Sequence, residues 1–244
     1  MLLEMYSDAV LCVTPCYQHI NLSSALTTVM EIVPTLFEYS LSDDIDSSKI
    51  ISKENAEAIM LFFAESPIFN RANTHNGCEA RADAICVLLE AWNIPVYKAW
   101  VFSGNYLKKH IGGLKKNWNF HVAPMLQVVE NGNLIHYIID PATSPCLQTL
   151  LSWAAGVTEY AHSYHFVKEA DWYIFSDKKI TQKNWNSRNR QNRRWMIQGL
   201  AGINGLSNIG KAALVFNKRS IKNTAVAFEK IKNAGVSVIG LHVL

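Results

Sequence analysis

In the stretch NGCEARADAICVLLEAW, Asn76 to Trp92, a cysteine follows a glycine and stands at the start of a helical pattern. A thiol attacks a carbonyl carbon as the thiolate, and a helix N-terminus together with a nearby imidazole lowers its pKa below the free value of about 8.5. The unpaired N–H groups of a first helical turn offer oxyanion donors at the same place. Cys78 is thus suited to be a nucleophile. The imidazole must come from elsewhere, and His121, in NFHVAPMLQVV, lies in a strand pattern with Phe120 and Val122 on the opposite face. Asp140 ends the next strand pattern, LIHYIID, ahead of Pro141. On paired strands the acid can fix the ring's tautomer while the imidazole faces the sulfur. Each residue also has an ordinary structural use: Cys78 as a buried core cysteine, His121 as a satisfied strand histidine, Asp140 as a turn residue.

These residues need elements to hold them. After Cys78, the residues Ala82, Ile85, Cys86, Leu89 and Trp92 recur on one face of a 3.6-residue period, which predicts a helix ending near Asn93 and Pro95. Cys86 sits inside that stripe and reads as core. VYKAWVFS reads as a strand, and NFHVAPMLQVV and LIHYIID as a hairpin closed by Asn131-Gly132, a pair that favours a type I′ turn. Upstream, Ser52 caps a predicted helix KENAEAIMLFFAE, whose Glu54 suits the positive end, and residues 22–39 show helical spacing interrupted by Pro34. Downstream, CLQTLLSWAAG reads as helix and WYIFS as a short strand. The organisation expected is an N-terminal helical segment over 1–65, a catalytic domain over 66–176, a basic linker or exposed face over 177–195, and a C-terminal segment over 196–244 with two helices and a final strand.

NGCEARADA, WNFHVAP and IIDPA, in the order Cys, His, Asp and approached through SPIFNRANTHNGC, resemble the bacterial protein-glutamine glutaminases (protein-glutaminase). That family lies within the papain-like and transglutaminase superfamily, and the likeness spans roughly residues 65–155. It implies an α+β fold with a papain-like or transglutaminase-like core, the nucleophile helix packed on an antiparallel sheet, and helical additions at both ends. In that resemblance Cys78 is the nucleophile, His121 the general base and acid, and Asp140 the residue that orients His121. The implied reaction hydrolyses a glutamine side chain in a protein or peptide to glutamate and ammonia through a thioester, without cofactor or metal. A transglutaminase or cysteine peptidase would use the same triad. Some bacterial effectors delivered into other cells share a glutaminase-like core, and the resemblance extends to that use.

The charge balance, 23 basic against 20 acidic residues, is too even to imply a polyanionic partner, and no nucleic acid is expected. The basic stretch 178–194 reads as a solvated face, or as the working surface if the chain were a non-catalytic binding module. Five unevenly spaced cysteines suit reduced thiols rather than a disulfide framework. Glu4 and Asp8 interrupt any secretory h-region, so a cytoplasmic protein, or one exported without a signal peptide, is expected. No membrane span is expected: Trp195 to Gly210 is uncharged but short and carries four glycines. GLSNIGKA lacks the hydroxyl of a phosphate loop, and His162 and His165 have no third metal ligand. The N-terminal segment, lying ahead of the nucleophile, could cover the cleft.

Overall fold

Local start and stop signals account for most helix ends in this computed structural model, which describes residues 37–39, 50–69, 77–103, 114, 118–158, 163–170, 190–202 and 211–239. Helix α1, Lys53–Glu65, begins where Ser52 Oγ accepts the N–H of Asn55 at 3.2 Å, and it buries Ala56, Ile59, Met60 and Phe63 at helical spacing. Helix α2 runs from Cys78 to Ala91. It stops at Asn93, which takes φ 58, a left-handed conformation that asparagine tolerates, while the Ile94 N–H closes back on the Leu89 carbonyl at 2.8 Å.

Seven strands form one sheet among the described residues. Its spatial order is β1 (Phe37–Tyr39), β7 (Ser163–Glu169), β3 (Tyr97–Ser103), β4 (Phe120–Glu130), β5 (Asn133–Ile138) and β6 (Gln148–Thr149), with β2 (Ile51–Ser52) beside the far end of β4. The central pairings are antiparallel, as the α+β reading requires, while β1 runs parallel to β7 and β2 parallel to β4. Asn131 at φ 52 and Gly132 at φ 76 make the expected two-residue turn, which sets Glu130 opposite Asn133.

Strand β4 is covered on both faces. Val122, Leu126 and Val128 meet the side that carries α2, whereas Ala123 and Met125 pack with Leu150, Trp153 and Ala154 of helix α3, Leu150–Val157. Alternation therefore sorts its residues between two cores rather than between core and water. On the α2 side, α1 and α2 share one core with helices α4 (Arg190–Leu200) and α5 (Lys211–Ala234): Ile59, Phe63, Ile85, Leu89, Met196, Leu200 and Phe228 are buried together. Segments drawn apart in the sequence at residues 65 and 196 thus contribute to a common interior. Cys86 is buried there, and Lys98 of β3 meets Asp83 of α2 at 2.8 Å with both side chains enclosed.

Two local readings change. Phe37–Tyr39, placed at the end of a predicted helix, is a strand, because these β-favouring aromatics find the open edge of β7. The rest of that helix, residues 22–36, lies outside the described residues, as does WYIFS. Strand β7 is an element the local pattern did not signal. At the C-terminus, Gly235 at φ 68 ends α5 and the chain continues through Ile239 as a 3₁₀ turn; residues 240–244, the rest of the stretch in which a final strand is expected, lie outside the described residues.

Candidate active site

Gly77 enters α2 in the left-handed region, at φ 83, where a Cβ would be strained. As N-cap it brings no side-chain acceptor to the N–H groups of the first turn. Cys78 packs with Ala82, Trp100, Phe102 and Val122. Cys78 is partly exposed, its S–H lies 3.5 Å from Glu79 Oε2, and the Val122 N–H lies near its sulfur. Burial pushes the Cys78 thiol well above its usual range, the Glu79 carboxylate adds to the rise, and the Arg81 guanidinium and the Val122 N–H oppose it without prevailing. This reverses the lowering expected from a helix N-terminus, because desolvation of a thiolate outweighs the helix end.

His121 and Asp140 are brought together. Both are buried, and His121 Nε2 donates to Asp140 Oδ2 at 2.7 Å. The same oxygen accepts Trp153 Nε1–H at 2.9 Å and Thr143 Oγ1–H at 2.5 Å. Burial alone would raise the Asp140 carboxyl, but the facing His121 charge and these three donors outweigh it and bring it down to about 2. An ionised carboxylate requires the proton on Nε2, so in the neutral ring Nδ1 carries the lone pair. Nδ1 is buried and makes no hydrogen bond. The ring stacks on Trp118, centroids 4.4 Å apart, and lies 5.7 Å from the Trp153 ring.

Cys78 and His121 are adjacent through the backbone and not through their side chains. The sulfur rests on the peptide N–H that follows His121, on the Val122 side of β4, while the imidazole projects with Ala123 toward Trp153. No hydrogen bond joins the two among the described residues. Glu79, Trp118, Thr143 and Trp153 were not picked out from the sequence as site residues. Thr143 has a local signal, since a hydroxyl three residues beyond an aspartate in a turn can bond back to it. Trp153 has none, because α3 reaches Asp140 only through the tertiary fold.

The chain is similar to three solved structures, each over part of its length. They are the NMR structure of protein-glutaminase from Chryseobacterium proteolyticum (15% identity, 67% of this chain and 91% of that one, TM-score 0.41), a crystal structure of protein-glutaminase (16%, 66% and 91%, TM-score 0.46) and one of pro-protein-glutaminase (16%, 71% and 67%, TM-score 0.46). No curated protein matches it. Residues 48–157, the segment that carries Cys78, His121 and Asp140, match the model of the family described as Glutaminase.

Proposed function

We propose that the chain is a cysteine-dependent protein-glutamine deamidase, a hydrolase that converts glutamine side chains of a protein or peptide into glutamate with release of ammonia. The observation that carries this reading is the buried His121–Asp140 pair, whose unengaged Nδ1 lies on the residue whose following peptide N–H is near the Cys78 sulfur, inside the segment that matches the glutaminase family. Cys78 would yield its proton to Nδ1 as the sulfur bonds to the carboxamide carbon, with the oxyanion turned toward the first-turn N–H groups of α2. The imidazolium, held by ionised Asp140, returns the proton to the departing nitrogen, so ammonia leaves and a thioester remains. Water then gives a proton to Nδ1 and attacks the thioester, and the imidazolium returns that proton to the leaving sulfur, releasing glutamate and restoring the thiol. Because the resting thiol is held protonated, transfer to His121 belongs to the substrate-bound step and requires the side chains of Cys78 and His121 to meet. A lysine amine in place of water would give a crosslink, and a main-chain amide in place of the side chain would give peptide cleavage. The same activity would serve in the protein's own cytoplasm or, as an effector, in a host.

Two observations favour a second reading. The raised thiol and the absence of an imidazole–sulfur bond also suit a core cysteine in a non-catalytic binding module that works through the basic 178–194 stretch. The deciding experiment is ammonia release from a glutamine-containing peptide, with the substrate mass followed. Deamidation gives a gain of about one dalton per event, lost in Cys78→Ala, without crosslinks or new termini. A Cys78→Ala variant with unchanged activity would sink the deamidase reading and leave the binding module.

A further inference from the structure

The family match ends at residue 157, yet the first turn of α2 is seated against an element beyond it. Helix α4 packs along α2, with Met196 and Leu200 in the same core as Ile85, Leu88 and Leu89. The approach is closest at Gly199, where an added Cβ would overlap the Cβ of Ala80. Neither position has a flexible side chain that could swing away, and Ala80 is 1% exposed. Gly199 lies inside a helix, where glycine costs roughly 0.5–1 kcal/mol against alanine. Its φ is not positive, so the backbone does not require glycine. What requires it is the close approach.

We propose that Gly199 is a positioning residue for Cys78: by letting α4 touch Ala80, it sets how deeply the first turn of α2 sits on β4, and with it where the sulfur meets the His121–Val122 peptide. The inference rests on the deamidase reading and extends the working unit to α4. Ala80 is two residues from Cys78 and shares its helical turn, so a displacement at one is carried to the other. Errors of about 1 Å in a reacting group cost on the order of 100-fold in rate. With the Ala80 methyl removed, the nearest atom to a Cβ on Gly199 is the Ala80 Cα at 3.9 Å, an ordinary contact, so a methyl moved from α2 to α4 is accommodated.

The test compares full-length wild type, Gly199→Ala and the exchange variant Ala80→Gly/Gly199→Ala by kcat and KM for ammonia release, the rate of Cys78 alkylation, and melting temperature. Folded Gly199→Ala is expected to lose about tenfold or more in kcat at unchanged KM and to alkylate at an altered rate, with the exchange variant returning to within about threefold of wild type. A folded Gly199→Ala that melts earlier but keeps wild-type kcat and alkylation overturns the proposal, since glycine would then serve packing alone. If Gly199→Ala does not fold, the single variant Ala80→Gly, which opens the same contact without a clash, decides: a folded protein with lowered kcat and altered Cys78 alkylation supports the proposal, and wild-type values of both overturn it. If wild type releases no ammonia, the deamidase reading fails by itself, and the alkylation rates across the same variants still decide the positioning.

Discussion

Asp140 shows how one atom organises a site. Its Oδ2 accepts from His121, Thr143 and Trp153, so the carboxylate is neutralised by donors from a strand, a turn and a helix at once. Its carboxyl lies at about 2 in the fold against an ordinary 3.8, so the ionised form stabilises the folded state. That contribution, roughly 2 kcal/mol, is complete above about pH 5, about half lost by pH 3 and gone as the pH falls below about 2. Asp140→Asn is therefore expected to destabilise by about that amount at neutral pH and by clearly less near pH 3, read by urea unfolding. An equal loss at both pH values would contradict it. At Cys78 the sign runs the other way: burial and then the Glu79 carboxylate hold the thiol protonated. Glu79→Gln is expected to lower the thiol pKa and speed alkylation by iodoacetamide at pH 7 to 8, with the rate still climbing toward alkaline pH. Unchanged or slower alkylation would remove Glu79 from the account. The residue types that suit thiol chemistry were legible in the sequence; Glu79 was legible only as a first-turn acid, and its effect on the sulfur follows from a side-chain contact of 3.5 Å.

The elements that carry these residues were legible wherever a local rule governs them. Ser52 capping α1, the helix starting at Cys78 and the Asn131-Gly132 turn each depend on a few adjacent residues, and each is formed as expected, although α2 is buried on every side over residues 80–89 and not along the predicted stripe alone. Gly77 is the sharpest of these positions. Its left-handed φ of 83 turns the chain into α2 immediately before Cys78. Gly77→Ala is expected to lower stability by about 1–2 kcal/mol and to reduce ammonia release more than that loss explains, because the strain is relieved by shifting the first turn. Full activity in a folded Gly77→Ala would show that the turn tolerates a side chain there. Strand β7 and the strand at Phe37–Tyr39 were not legible, since their identity comes from pairing partners far away in the chain. The same holds for the buried Asp83–Lys98 pair, which ties α2 to β3 through two charges that a linear pattern would place in water.

At the scale of the whole molecule, the segment that matches the glutaminase family is not the whole interior. Ile85, Leu88 and Leu89 of α2 are covered by Met196 and Leu200 of α4 and by Phe228 of α5, all beyond residue 157. A fragment limited to residues 48–157 is therefore expected to aggregate or to bind a hydrophobic dye, having exposed the outer face of α2. A monomeric fragment with a cooperative melt and intact secondary structure would contradict this. A truncation beginning at Ser66, the expected start of the catalytic domain, would remove Ile59 and Phe63 of α1 from the same core, so it tests folding before it tests any covering of the cleft by the N-terminal segment. Among the described residues no helix is long and apolar enough to cross a membrane.

By itself the sequence determined the α+β class, the helix beginning at Cys78, the hairpin bearing His121 and leading to Asp140, and the chemistry those residue types allow, because helix periodicity, capping and turn conformation act over a few residues. Only the tertiary structure decided that Trp153 and Thr143 hold Asp140, that α4 closes on Ala80, and that the sulfur rests on a backbone amide with its thiol raised. Those outcomes depend on which surfaces meet and on how much water is excluded where they do. A carboxylate gathers donors and a thiol loses its hydration according to what surrounds them in space, and nothing in the order of the chain specifies that environment one residue at a time.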